Sequence, residues 1–281
     1  MNFPAHLVHN FQFSGNVTLT ACPVCGNGLF SEIWRLPQNR LEKTAVLDSP
    51  GAPYHGYQIN YLPTLRVPQE IYVFDICHRC ESIFLNPKND DQMVYRSDTS
   101  KVKYFKEHGL DGFRYFTNSV RKLFPANTKK VVDSACGSGQ VLALLKELDP
   151  GLELMGLELS QPSVDFINHE LGIKACAVDL DQDDLDQVVP PGTIDFVILS
   201  EAFEHVRRPL TVMRKMVRLL RPGGRVHFTA QYYGDNSLQI RVDEPIYINQ
   251  QGFEYVIGEL GVKLVNLIKD NKIRATIEKP A

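Results

Sequence analysis

The 281-residue sequence is short of the features that would set it outside the ordinary globular class. No run of residues approaches the ~20 consecutive apolar side chains that a bilayer-spanning helix needs. The first ten residues hold Pro4, His6 and His9 and no long apolar stretch, so no secretory leader is expected. Neither sign of charge dominates: 30 Lys+Arg stand against 33 Asp+Glu, a net charge of -3. A protein gripped mainly through nucleic-acid phosphates usually carries a basic domain, which this balance argues against, although a local RNA contact stays open. There is no internal repeat and no low-complexity tract. Hydrophobic residues at 43% and charged residues at 22% exclude collagen-like, coiled-coil and disordered chains.

Cysteine is also scarce, at six residues, but four of them fall into two Cys-x-x-Cys pairs, Cys22/Cys25 and Cys77/Cys80. Cys136 and Cys176 stand alone. Without a leader, a reducing cytoplasmic location is expected, and disulfides are a poor reading there. Paired knuckles of this spacing read instead as metal ligands.

At ~100–200 residues per domain, the length allows one large domain or two ordinary ones. The character changes near residue 125. Before it lie prolines and aromatics with little periodicity, including a loop at Leu47-Asp48-Ser49-Pro50-Gly51-Ala52-Pro53. Up to residue 125 there are 13 Lys+Arg against 11 Asp+Glu; beyond it there are 17 against 22. Neither half is extreme.

After Asn127 strands and helices alternate. Lys130–Ala135, Leu152–Leu157, Ile173–Val178, Ile194–Leu199 and Arg225–Ala230 read as strands. Ile194–Leu199 is apolar on both faces, as a central parallel strand should be. Gln140–Leu148 reads as a helix, with Val141, Leu144, Leu145 and Leu148 on one stripe. A second helix starts at the N-cap Ser160, with Pro162 in its first turn, and runs to about Leu171. Pro209–Leu220 is a third, closed by Pro222-Gly223-Gly224. The alternation predicts an α/β fold around a parallel sheet. At the end, a helix over Gln250–Leu260 stops at Gly261, and Lys263–Ile268 and Lys272–Glu278 are joined by the short polar Asp270-Asn271. That joint predicts an antiparallel hairpin.

The turn Asp133-Ser134-Ala135-Cys136-Gly137-Ser138-Gly139-Gln140 sits between the first strand and helix of this region. Gly137 and Gly139 let the backbone bend sharply and approach a ligand, and the helix start offers free N–H groups. Glu158 ends the second strand, where a carboxylate can accept both ribose hydroxyls of an adenosine-type ligand. A nicotinamide fingerprint would need a small residue where Leu142 stands, and a phosphate-binding loop would need a Gly-Lys-Ser/Thr step that is absent. A tight turn with no ligand is the bland alternative.

Taken in order, these residues resemble the class I S-adenosylmethionine-dependent methyltransferases. The family's acidic-x-Gly-x-Gly-x-Gly motif corresponds to Asp133-x-Ala135-x-Gly137-x-Gly139, with Ala135 as the departure. The resemblance continues through Gly156-Leu157-Glu158-Leu159-Ser160, Val178-Asp179-Leu180, Asp195–Glu201, Glu204-His205-Val206 and Leu220–Gly224, over roughly residues 105–281. It implies a Rossmann-like seven-stranded sheet with a C-terminal antiparallel hairpin and S-adenosyl-L-methionine as cofactor. It also implies roles: Asp133, Ala135, Gly137 and Gly139 around the methionine part, Glu158 and Leu159 at the ribose, and Asp179 and Leu180 at the adenine. Ser200 or Glu201 would face the methionine end.

Methyl transfer needs a nucleophile aligned in line with the sulfonium methyl at about 3 Å. A hydroxyl acceptor also needs a base. His205 lies just past the fourth strand's carboxyl end, where ligands of open α/β sheets collect, and an imidazole titrates near ~6.5. His205 and Glu201 are therefore the candidate catalytic residues, with Glu204 a competitor and a plain loop wall the alternative. Tyr232 and Tyr233 after the fifth strand can line an acceptor pocket or simply pack, and Tyr95, Tyr104, Phe105 and His108 can close over the cofactor.

Cys22, Cys25, Cys77 and Cys80 together make a closed tetrahedral set, predicting structural Zn2+. The expected order is a zinc-binding domain over residues 1–95, a connecting or lid segment over 96–125 and the methyltransferase domain over 126–281. A zinc ribbon ahead of such a domain resembles two groups. One acts on sugars, nucleotide-sugars and secondary metabolites; Phe84-Leu85-x-Pro87 after the second knuckle matches it, whereas Glu81 stands where that knuckle usually has Gly. The other methylates ribosomal RNA. With residues 1–125 near neutral, a small-molecule or saccharide acceptor and O-methylation are expected ahead of RNA, with no membrane partner. A non-catalytic cofactor-binding protein is the third reading. Oligomeric state is not legible in the sequence.

Overall fold

The computed structural model describes residues 16–37, 45–47, 57–59, 71–86, 88–89, 95–234, 239–240, 244–270 and 272–281. The loop expected at residues 47–53 lies outside them except for Leu47, which ends a short strand, and Pro87 also lies outside. In the N-terminal part, β1 (Phe30–Pro37) pairs antiparallel with β2 (Ile71–Cys77), which pairs with β3 (Ile83–Leu85). The turn between β2 and β3 is the second cysteine knuckle, closed by Glu81 N donating to the Cys77 carbonyl at 3.0 Å. The first knuckle repeats the arrangement, with Gly26 N donating to the Cys22 carbonyl at 2.9 Å. Two short helices follow, α1 (Ser100–His108) and α2 (Asp111–Arg121).

The larger part begins with β4 (Lys130–Ser134), α3 (Gln140–Leu148), β5 (Glu153–Glu158), α4 (Gln161–His169), β6 (Lys174–Ala177) and β7 (Ile194–Leu199). It continues with α5 (Pro209–Leu219), β8 (Leu220–Gln231), β9 (Ile246–Tyr247), α6 (Gln250–Leu260), β10 (Lys263–Lys269) and β11 (Lys272–Glu278). Seven strands form one sheet in the order β6-β5-β4-β7-β8-β11-β10. The first five are parallel, and β11 runs antiparallel to both β8 and β10. The expected fold class is therefore observed, down to the terminal hairpin.

Local chemistry explains the element ends. Ser160 caps α4, its Oγ accepting from Ser163 N at 3.2 Å, with Pro162 in the first turn. Asn249 does the same for α6, which stops at Gly261 in the left-handed conformation. The third helix ends one residue earlier than its apolar pattern suggests. Leu220 turns extended at once, so the Pro222-Gly223-Gly224 stretch runs inside β8 as its irregular start. A register shift between Ile194 and Phe196 marks the same place on β7. Asp195 fastens this lower edge of the sheet, accepting from Lys129 N and Lys130 N at 2.9 and 2.8 Å and pairing with Arg221. That places it at the end of the sheet opposite the strands' carboxyl ends.

The N-terminal sheet is completed from the other end of the chain. β9 pairs antiparallel with β3, Ile246 opposite Phe84 and Tyr247 opposite Ile83, giving the order β9-β3-β2-β1. Nearby, Gln239–Ile240 pairs parallel with Tyr57–Ile59. One continuous apolar cluster includes Cys22, Cys77, Cys80 and Phe84 together with Phe228, Phe253, Val256, Val197 and Leu199 of β7, and Ile273, Ala275 and Ile277 of β11. The knuckles therefore share a core with the large sheet. Among the described residues no helix is long and apolar enough to cross a membrane.

Candidate active site

The carboxyl ends of β4, β5, β6 and β7 carry the candidate residues to one edge of the sheet. At the end of β4 the chain turns through Ala135, Gly137 and Gly139, all at positive φ (57°, 58° and 82°). Ala135 thus takes the left-handed conformation that a glycine would adopt more easily, at a cost of roughly 1–2 kcal/mol. Gly139 has a second constraint, since a Cβ there would meet Ile167 Cγ1 at 2.9 Å. Asp133 is 4% exposed, and among the described residues no ion pair engages it. Burial, with Glu158 adding, pushes its carboxyl up to about 8.

Glu158 is also buried, but its carboxylate is well supplied. Oε2 accepts from Gly137 N at 2.7 Å and Oε1 from Ser160 N at 3.1 Å. Lys101 Nζ stands 3.4 and 3.5 Å from the two oxygens. Asp179, past the end of β6, accepts through Oδ1 from Asp181 N at 3.0 Å and through Oδ2 from Gln182 Nε2 and Arg96 at 3.0 Å each. Leu180 beside it is buried, and Leu159 and Ser200 are half-buried.

Arg96 and Lys101 belong to a segment laid across this edge. Asp98 O accepts from Ser160 Oγ and Lys101 O from Ser138 Oγ, both at 2.8 Å. Tyr95 stacks edge-on to His205 with centroids 6.2 Å apart, and Lys101 Nζ lies 5.6 Å from the Tyr95 ring centre. Phe105 packs on Phe166, and Tyr104 packs on His108 with its own ring 47% exposed. Of the four residues considered for closing the site, Tyr95 packs on His205, Phe105 on Phe166, and Tyr104 and His108 face each other.

The two candidate bases diverge. Glu201, at φ 52°, is exposed; its side chain pairs with Lys272, and Thr229 Oγ1 donates to its Oε1 at 3.2 Å. His205 is half-buried with Nε2 3.3 Å from Glu244 Oε2. Glu204 between them is fully buried, and Gln231 Nε2 donates to its Oε1 at 3.1 Å. Burial pushes Glu204 up to about 7; His205 opposes the shift, and Glu244 and Glu201 add to it. Tyr233 is buried, its hydroxyl donating to the Glu81 carbonyl, so it packs against the second knuckle; Tyr232 is half-buried.

The four knuckle sulfurs converge. Cys22 Sγ and Cys80 Sγ are 3.7 Å apart, Cys25 Sγ and Cys77 Sγ 3.4 Å, and all four lie within 4.8 Å of one another. These are too long for disulfides at ~2.05 Å, and match the edges of a tetrahedron with ~2.3 Å arms, about 3.8 Å. The Cys22–Cys80 hydrogen bond and burial raise the Cys22 thiol, the same bond holds Cys80 down to about 5, and burial pushes Cys25 up to about 12.

Arg96, Lys101 and Glu244 were not legible as site residues from spacing, because their partners lie far away in sequence and the stretches around Arg96 and Glu244 have no regular pattern. Residues 132–228 match the family described as a methyltransferase domain. The match covers about a third of the chain. A ubiquinone biosynthesis O-methyltransferase from Ralstonia nicotianae is 30% identical over 146 residues, which is 50% of this chain and 56% of that protein. A human tRNA N(3)-cytidine methyltransferase, METTL6, is 26% identical, covering 59% of this chain and 61% of its own. The chain thus spans about half to three-fifths of these relatives. Among solved structures, an O-methyltransferase family protein from Burkholderia thailandensis superposes with a TM-score of 0.51 at 17% identity, covering 66% of this chain and 61% of its own. The cyclase SpnF reaches 0.52 at 14%, covering 59% and 80%. At these identities the likeness is one of fold, and it extends to a cyclase. Beside the matched stretch, the Arg96–Lys101 segment lies against Asp179 and Glu158.

Proposed function

We propose that the chain transfers a methyl group from S-adenosyl-L-methionine to a hydroxyl of a small-molecule or saccharide acceptor. The observation that carries this reading is the set of two buried carboxylates flanking the Gly137–Gly139 turn. Asp133 is buried with no cationic partner among the described residues, which suits an ammonium group, and Glu158 is held by two backbone N–H groups, which suits hydroxyl donors. When bound, the cofactor supplies an electrophilic sulfonium methyl, which passes to the acceptor oxygen while the electrons of the broken S–C bond stay on sulfur. Asp133, Ala135, Gly137 and Gly139 would hold the methionine part, Glu158 and Leu159 the ribose, Asp179 and Leu180 the adenine, and Ser200 the methionine end. The proton leaving the acceptor hydroxyl would go to the His205 corner. Glu201, tied to Lys272 and Thr229, serves better as a neighbouring wall than as the base.

The sulfur spacings suit Zn2+, and Cys22, Cys25, Cys77 and Cys80 would hold it as a closed structural site. Residues 1–95 would then be the zinc module, 96–125 the segment closing over the cofactor and 126–281 the transferase unit. Charge near neutrality favours a small acceptor, and the tRNA-modifying relative keeps RNA as the competing substrate. Calorimetry with S-adenosylhomocysteine, then transfer of labelled methyl to a panel of hydroxylated small molecules, nucleotide-sugars and RNA, tests the reading. Binding with transfer to the first two supports it. RNA labelling with a steep salt dependence favours the competitor. No binding at millimolar cofactor sinks both.

A further inference from the structure

We propose that Glu204, His205 and Glu244 form a second cation site, distinct from the four-cysteine cluster, that takes a divalent ion of the Mg2+/Mn2+ class at the acceptor end of the sheet. One ligand atom from each of the three lies within 4.8 Å of the other two. His205 Nε2 and Glu244 Oε2 are 3.3 Å apart. Adjacent ligands of an octahedral ion with ~2.1 Å bonds stand about 3 Å apart, so this pair is close to a ligand edge. Glu204 and Glu244 are 0% and 7% exposed. In each, Oε2 is buried and makes no hydrogen bond. A buried carboxylate oxygen left without a donor is costly, and here two carboxylates that each hold such an oxygen gather with one imidazole. A single cation between them would satisfy both.

The surroundings support a built site. Gln231 Nε2 holds the other oxygen of Glu204 at 3.1 Å, a contact that orients a ligand carboxylate. Tyr95 packs on the edge of His205. Two carboxylates and one imidazole leave further positions of the ion open, and oxygen-rich sets of this kind suit Mg2+ or Mn2+ over thiophilic metals. An acceptor offering one or two hydroxyl oxygens would fit those positions. The ion would lower the hydroxyl's pKa and give it a fixed orientation; with the ion bound, His205 is a ligand and the proton leaves to water, in place of the base role His205 has without it. This role rests on the methyltransferase reading; the existence of the site does not.

The test is a Mn2+ titration of the full-length, zinc-loaded protein, following free Mn2+ by electron paramagnetic resonance. One Mn2+ per chain is expected, displaced by excess Mg2+, with zinc content unchanged. Glu204→Gln and Glu244→Gln should each weaken Mn2+ by at least about ten-fold, while S-adenosylhomocysteine affinity stays the same. If Glu204→Gln fails to fold, Glu244→Gln and His205→Asn carry the measurement. Folded wild-type protein that takes up no Mn2+ at millimolar concentration overturns the proposal, as do variants that bind Mn2+ like wild type. Mn2+ binding without S-adenosylhomocysteine binding would keep the cation site and remove the methyltransferase reading; the reverse result would remove only the cation site.

Discussion

Lys101 rests on Glu158, its Nζ 3.4 Å from one carboxylate oxygen and 3.5 Å from the other. Since Lys101 is about one-third exposed, the pair is a modest one, worth roughly 0–1 kcal/mol. Ribose hydroxyls arriving at Glu158 would have to share or replace it. Glu158→Gln should weaken S-adenosylhomocysteine by about ten- to a hundred-fold, the loss of a charge-assisted acceptor of roughly 1.5–3 kcal/mol. Lys101→Met should leave affinity unchanged or tighten it by up to about five-fold. Calorimetry on both variants decides; equal weakening by both would make Lys101 a binding residue instead of a competitor.

Cofactor affinity should depend on pH through Asp133, whose carboxyl burial holds at about 8. Below that pH the group is protonated, so binding an ammonium against its carboxylate requires releasing the proton. Affinity should therefore rise with pH, by at most about ten-fold per unit, and level off above about 8. Asp133→Asn should bind weakly and flatly across the range. A wild-type affinity that does not change between pH 6.5 and 8.5 would detach Asp133 from the ligand.

One zinc per chain is expected at the cysteine cluster, and its loss should be felt beyond the N-terminal part. Cys22, Cys77 and Cys80 belong to the same apolar cluster as Phe228 and Phe253. Cys77→Ser should lose the metal and lower the melting temperature of the whole protein. Metal analysis well below one zinc per folded chain would refute the assignment, and an unchanged melting temperature would show that the shared core does not couple the two parts.

For catalysis, His205→Asn should reduce turnover by about a hundred- to ten-thousand-fold with cofactor affinity nearly unchanged. Glu201→Gln should cost far less, because its carboxylate is engaged by Lys272 and Thr229. Turnover and cofactor binding measured on both variants together would reverse the assignment if Glu201→Gln proved the worse.

The parallel strands and the terminal hairpin were legible because each has its own local signature: an apolar run, a glycine turn or a short polar joint. The Glu158 position was legible for the same reason, as it follows the glycine turn at a regular distance. The segment over the site was only partly readable. Arg96 meets Asp179 across 83 residues and Lys101 meets Glu158 across 57, and no periodicity foretells such pairs. Glu244 sits in an irregular stretch and gains meaning only by facing His205. Strand β9 is two residues long, too short for any alternation to show. Glu81 looked like a flaw where a glycine is usual. It does adopt φ 54°, and its side chain and carbonyl are each engaged, by Asn249 Nδ2 at 2.7 Å and by the Tyr233 hydroxyl.

The pairing of Ile246 and Tyr247 with Phe84 and Ile83 has a consequence for how the protein is made. The cysteine knuckles leave the ribosome early, yet the edge of their sheet is closed by residues about 160 positions later. At ~5–20 residues per second, that edge waits roughly 8–30 s during translation. In that interval β3 presents an open backbone edge beside buried-type side chains, the kind of surface that invites pairing with another chain. Early capture of metal by the four cysteines would tie the nascent module down while it waits. Scarcity of zinc during synthesis would then show as aggregation of new chains, while protein already folded stayed intact.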